Sequence, residues 1–127
     1  MPVINRIAEF ADEVAEWRRD FHVHPELQYD LPRTSGKVAD LLRSFGVDEV
    51  VTGIAQSGVV GVIRGRGPGK TIGIRADMDA LPILERTGLD YASQTPGRMH
   101  ACGHDGHTAI LLGTAKYLAE TRNFDGN

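Results

Sequence analysis

Thr71-Ile72-Gly73-Ile74-Arg75-Ala76-Asp77-Met78-Asp79-Ala80-Leu81-Pro82 reads as a strand that runs out into two carboxylates. Ile72, Ile74 and Ala76 alternate with Gly73, Arg75 and Asp77, the period-two pattern of a strand. Continuing that period puts Asp77 and Asp79 on one side at the C-terminal end. In open α/β sheets, binding and catalytic sites form outside such strand ends. Two carboxylates held close can share a proton, bind a metal, or orient a histidine ligand through its second nitrogen. A strand-ending Asp turn closed by Pro82 explains the same residues, and for this stretch alone it is the weightier reading. Arg75 offers Asp77 an ion-pair partner.

Further on, Met99-His100-Ala101-Cys102-Gly103-His104-Asp105-Gly106-His107 packs three of the five histidines, the only cysteine and a carboxylate into nine residues. Thiolate, imidazole and carboxylate are the donors that first-row divalent metals take from proteins. The two glycines allow a tight backbone around them. A lone cysteine is usually a small buried apolar side chain, and His107 alone reads as a core histidine on a helix face. Cys102 with His104 differs. Residues two apart point about 200° apart on a helix but to the same side of an extended segment. Thr95-Pro96-Gly97-Arg98 just upstream favours a loop. Cys102 and His104 are therefore expected to converge on one centre.

The remaining chain supplies alternating helices and strands. Val3, Ile7, Phe10, Val14, Trp17 and Phe21 recur at helical spacing and predict one amphipathic helix ending near His24, before Pro25. A second helix is expected from Pro32 to Phe45, with Val38, Leu41, Leu42 and Phe45 inward and Gly46 as the stop. Gly58 to Arg64 reads as a buried strand. Gly65-Arg66-Gly67-Pro68-Gly69-Lys70 reads as a turn into the strand 71–77, making a hairpin. That turn is no phosphate loop, since Thr71 opens a strand and not a helix. A loop from Leu81 to Cys102 leads to a last helix, Asp105 to Glu120, expected to bury Leu111, Ala115 and Leu118. Phe124-Asp125-Gly126-Asn127 looks like a turn into a further strand. His22 and His24 are read as caps of the first helix's C-terminus in preference to site residues, and Trp17 as core.

Composition narrows the class. Hydrophobic residues make up 41% and charged residues 24% of the 127 residues, ordinary values for a folded domain. A net charge of -3 provides no basic field for nucleic acid. No apolar run approaches a membrane span, and the N-terminus lacks the apolar core of a signal peptide. One cysteine forms no internal disulfide, which fits a cytoplasmic protein.

Four stretches together resemble a metal-dependent amidohydrolase family. It includes hippurate hydrolases and other N-acyl-amino-acid amidohydrolases and is related to zinc carboxypeptidases and aminoacylases. Residues 75–82 and 100–107 resemble its two site blocks. Arg18-Arg19-Asp20-Phe21-His22-Val23-His24-Pro25-Glu26-Leu27 resembles its N-terminal block, and Thr87-Gly88-Leu89-Asp90-Tyr91-Ala92-Ser93 the segment between the site blocks. The resemblance implies an α/β fold, the N-terminal portion of a zinc-peptidase-like catalytic domain with a mixed sheet flanked by helices. Residues 1–127 would be the N-terminal part of that domain, without the lid or dimerisation domain.

The resemblance also implies roles. Cys102 and His104 match the family's first metal ligands. Asp79 matches the aspartate beside the metal centre, holding its electrostatics and orientation and not abstracting a proton. Asp77 falls where related carboxypeptidases carry a ligating histidine and is not assigned as a ligand. The implied cofactor is one or two divalent ions, zinc or manganese first, cobalt or nickel as further candidates. The implied substrate is a small N-acyl amino acid, hippurate-like, with neither nucleic acid nor membrane as partner and with a homo-oligomeric parent left open. The Glu-Glu motif that carries the family's general base has no counterpart here, so the chain by itself is expected to be inactive. A non-catalytic metal-binding module and a partner-dependent structural remnant are the alternative readings.

Overall fold

The computed structural model describes residues 4–127. Its elements are α1 (Asn5–Glu9), α2 (Ala11–Val23), α3 (Pro32–Ser44), β1 (Glu49–Ile54), β2 (Gly58–Val62) and α4 (His104–Thr121). The α/β class read from the sequence stands. The expected first helix is present but divided at Phe10, which ends α1 and opens α2. Phe10, Trp17 and Phe21 are buried along it, whereas Ile7 remains exposed; Val3 lies outside the described residues. The chain leaves α2 at His24 and the wholly buried Pro25. Proline lacks the N–H and crowds the preceding turn, so the helix stops there.

α3 follows its sequence closely. Pro32 occupies its start, where a missing N–H costs nothing. Val38 and Leu42 are buried, while Leu41 and Phe45 pack half-buried against the same core. Gly46 ends the helix at φ +72°, a conformation glycine adopts without strain. The core itself joins Trp17 and Phe21 of α2, Val38 and Leu42 of α3, and Ala109, Leu112 and Ala115 of α4. Trp17 thus takes the core role read from the sequence, with its ring centroid 5.4 Å from that of Phe45.

α4 buries Ala115 as expected, but not Leu111 and Leu118. Thr108, Ala109, Leu112, Ala115 and Ala119 are buried, while Leu111 and Leu118 lie half-buried on the flanks. Small residues win the inner stripe because α2 comes close. A Cβ built on Gly113 would stand 3.0 Å from Val14 Cγ2. Large side chains facing α2 would hold the helices apart and leave gaps, which densely packed interiors disfavour.

The strand expectation is corrected most. β2 pairs antiparallel with β1, from Glu49 opposite Val62 to Ile54 opposite Gly58, and not with residues 71–77. The register shifts between Thr52 and Ile54, where Gly53 has φ +78°, the mark of a bulge. The three-residue connection after β1 makes this pairing local and short. Residues 71–77 form no ladder among the described residues, and Ile72 and Ile74 are 78% and 60% exposed. The glycine-rich stretch before them instead lies beside 124–127. Gly65 N–H donates to Gly126 O (2.8 Å), Gly126 N–H to Gly67 O (2.9 Å), and Ile72 N–H to Asn127 O (2.9 Å). The sheet within the described residues is two-stranded, order β1-β2, and antiparallel.

Phe21 is 1% exposed and touches the centre of this core. Phe21→Ala is expected to lower stability by about 3–5 kcal/mol, as buried Phe-to-Ala changes do. The shift of the urea unfolding midpoint measures it; a loss below about 1 kcal/mol, the size of an ordinary surface effect, would contradict the packing.

Candidate metal centre

The N-terminus of α4 is brought against the end of the 71–79 segment. Gly103, in the left-handed region at φ +93°, turns the chain so that His104 is the first helical residue. His104 Nδ1–H then donates to both the backbone oxygen (2.9 Å) and Oδ1 (3.0 Å) of Asp79. Both partners are acceptors, so Nδ1 is the nitrogen that carries a proton toward Asp79, and Nε2 is the nitrogen left available. Asp77 Oδ2 stands 4.0 Å from that Nε2. Thr108 Oγ1–H donates to Asp77 O (2.9 Å), so α4 grips the segment a turn further along. The His107 ring centroid is 5.6 Å from that of His104.

Other backbone bonds hold the segment in place. Ala80 N–H donates to Glu26 O (2.7 Å), and Leu81 and Met99 exchange a pair of bonds (2.9 and 3.0 Å) that closes the intervening loop. A cleft of about 540 Å³ opens beside the carboxylates, lined by Tyr29, Leu31, Ile54, Asp77, Asp79 and His104 among others.

Asp77 is paired with Arg75, the partner the sequence offered, at 2.6 Å. The hydrogen bond from Arg75 and then its charge hold the Asp77 carboxyl below its ordinary range, with His104 and His107 adding to the effect. Cys102 is exposed and free. The segment between it and His104 is turned by Gly103 and is not the extended one expected. No group of three or more His, Cys, Asp or Glu side chains arranged to hold a metal occurs among the described residues. The His104 imidazole and the Asp77 and Asp79 carboxylates nonetheless line one cleft, whose lining does not include Cys102. In donor type these residues fit a divalent ion.

Sequence reading missed a buried polar network behind this end. His22 is 2% exposed and is not a surface cap. Its Nδ1 stands 2.7 Å from Asp105 Oδ2 and its Nε2 3.1 Å from Glu85 Oε1. Arg18 Nε meets the same Asp105 oxygen at 2.8 Å. His24 does cap the helix, through Nδ1–H to Asp20 O (2.9 Å). His100 is buried nearby, its ring centroid 6.4 Å from that of His22. Burial above all lowers its pKa, with the nearby His22 and His104 rings adding and Asp105 and Asp79 opposing. The one local signal for this network is Asp105, an acidic residue in the first turn of a helix, which reads equally well as a dipole partner at the surface.

Against known proteins, residues 73–127 match the model of Peptidase family M20/M25/M40. Across 117 residues the chain is 46% identical to an N-acyl-L-amino acid amidohydrolase of Geobacillus stearothermophilus, covering 92% of this chain and 31% of the relative. Across 126 residues it is 48% identical to a hippurate hydrolase of Campylobacter jejuni, covering 99% and 32%. Among solved structures it superposes with a TM-score of 0.85 on the Bacillus subtilis YXEP protein, described as a dinuclear metal-binding peptidase of the M20 family. That match is 43% identical and covers 91% of this chain and 32% of the other. The fold and the site blocks are similar to those of Peptidase family M20 proteins. The chain is similar to amidohydrolases of this kind and spans about a third of the length of the curated relatives it matches.

Glu85 offers a pH test of the network. Burial pushes its carboxyl up, but hydrogen bonds from Thr87, the Ser93 amide and His22 outweigh this and leave it below its ordinary value of 4.5. A carboxyl depressed in the folded state stabilises the protein above the unfolded pKa and loses that effect as pH falls through the folded value. Glu85→Gln is therefore expected to destabilise at pH 7, the gap from wild type narrowing as pH drops below about 4.5. Urea unfolding at a series of pH values reads this directly. A gap that widens toward acid would refute it.

Proposed function

We propose that this chain carries the N-terminal part of the catalytic domain of an amidohydrolase that cleaves the amide joining an acyl group to an amino acid. Cys102 and His104 would hold a divalent ion, and Asp79 would orient His104. The observation that carries this reading is the His104 imidazole, whose Nδ1 is tied to Asp79, leaving Nε2, 4.0 Å from Asp77 Oδ2, as the nitrogen available to a ligand. Histidine ligands are commonly held in this way, by a carboxylate or carbonyl on the second nitrogen. A bound divalent ion would supply Lewis-acid polarisation of the amide carbonyl and a lowered water pKa. Zinc suits a thiolate–imidazole pair, with manganese, cobalt or nickel as further candidates.

Asp79 acts on orientation and charge. It sits against the nitrogen of His104 that points away from a ligand, so it is not placed to take a proton from water. The cleft beside Asp77 and Asp79 would admit a small substrate such as hippurate or another N-acyl amino acid. Similarity to the two amidohydrolases supports that substrate class. Among the described residues no helix is long and apolar enough to cross a membrane. The single free cysteine supports a reducing, cytoplasmic setting.

Cys102→Ala and His104→Ala in the full-length protein are each expected to lower metal content and activity together. Metal analysis at full occupancy in both variants would remove the ligand assignment. Asp79→Asn should keep most of the metal while slowing turnover by about 10–100-fold, the usual effect of losing an orienting partner. A wild-type rate in that variant would leave Asp79 as a turn residue only.

The 127 residues alone are expected to show no turnover, because two ligands fall short of the three that a catalytic zinc site takes from protein. The check is to add zinc or manganese to the purified chain and assay hippurate and N-acetyl amino acids. Metal-dependent hydrolysis abolished by His104→Ala would refute it.

A further inference from the structure

Asp105 follows His104 in sequence, yet its side chain is wholly buried. A buried carboxylate is tolerated only when charged or hydrogen-bonding partners replace its lost water. Here they come from α2 to one oxygen, Oδ2, through Arg18 Nε (2.8 Å) and His22 Nδ1 (2.7 Å), one helical turn apart, while Oδ1 has no partner among the described residues. His22 then uses its second nitrogen on Glu85 (3.1 Å), in the loop that runs from Leu81 to Cys102. The His22 and Glu85 side chains are 3% and 4% exposed, so water screens little of this chain of contacts. Glu85 in turn accepts from Thr87 Oγ1 (2.5 Å) and Ser93 N–H (2.7 Å), which fixes the loop's path. Tyr91 presents its ring edgewise to His22, with centroids 5.7 Å apart.

The consequence is geometric. The loop joins Asp79 to His104, the two residues that must meet. His22 grips the loop on one side and the first turn of α4 on the other. Rotating α4 about its axis would move His104 off Asp79 and would also pull Asp105 from His22. Charge-assisted hydrogen bonds are short and directional, so they fix such a rotation more sharply than apolar packing does.

We propose that His22 is a positioning residue for the metal centre. By clamping Asp105 and Glu85 it sets the rotation of the first α4 turn at which His104 presents Nε2 outward. This rests on the reading of His104 as a metal ligand. Stability and positioning separate here, because buried ionic groups can often be replaced by apolar ones without loss of stability. An apolar replacement cannot hold the rotation.

The test uses the full-length protein, stripped of metal and titrated with cobalt(II), whose visible absorption bands report ligand geometry. Wild type, His22→Leu, His22→Asn and His104→Ala are compared, with urea unfolding recorded for each. The expected result is a loss of cobalt affinity of about 10–100-fold in His22→Leu, with altered absorption bands. Partial recovery is expected in His22→Asn, which can still donate to Asp105. Wild-type affinity and bands in a folded His22→Leu, beside lost binding in His104→Ala, would overturn the clamp and leave the metal centre standing. Wild-type protein that takes up no cobalt would overturn both. Should His22→Leu not fold, His22→Asn and Glu85→Gln decide: reduced affinity in either supports the clamp, and unchanged affinity and bands in both overturn it.

Discussion

Asp105, a carboxylate with no exposed surface, is the constraint on which the site end of the molecule depends. It can be buried there only because Arg18 and His22 reach it from α2. Pairing its Oδ2 fixes how α2 and α4 sit against each other at that end, just as the close approach of Val14 to Gly113 fixes them further along. Apolar packing of Trp17 and Phe21 on Ala109 and Leu112 supplies the non-directional part of the same contact. Together they leave α4 one orientation, and in that orientation His104 meets Asp79.

The candidate site then follows from two chain ends brought together. The 71–79 segment ends in carboxylates, and α4 begins with an imidazole. Between them lies a loop with little regular structure, held by the Leu81–Met99 pair and by Glu85. Such a loop has no helical or ladder bonds of its own to fix its course, so its few buried polar contacts carry that burden. Asp79 and Asp77 are neighbours with different partners. Asp79 is bound to His104, and Asp77 is drawn to Arg75. Adjacent identical side chains thus take different electrostatic roles from their surroundings.

The β1–β2 hairpin leans on α3, where Gly61 lies close under Leu42. Arg122, just past α4, ties this part to the helix end by reaching Asp48, Gly46 O and Arg64 O. Its charge and the Arg64 amide hold the Asp48 carboxyl below its ordinary range, the amide bond being the larger effect. These contacts are exposed and contribute little each, but they close the chain's termini onto its middle.

Local pattern was sufficient for much of this protein. The helical spacing of Phe10, Val14, Trp17 and Phe21, and the Pro32 and Gly46 boundaries of α3, depend on interactions within a few residues. The clustering of Cys102, His104, Asp77 and Asp79 in two short blocks was equally legible, because donor chemistry belongs to the residue itself. What the sequence could not contain was pairing across distance. The alternation of residues 71–77 says that they suit a strand but not which strand lies beside them, and β2 took β1 as its neighbour instead. The inner stripe of α4 was decided by how near α2 approaches, which favoured Ala115 and Ala119 over Leu111 and Leu118. His22 read as a helix-end histidine until Asp105, 83 residues away, and Glu85 were folded against it. Periodicity and donor type are local properties, whereas register, burial and the partners of a charge exist only once the chain has packed.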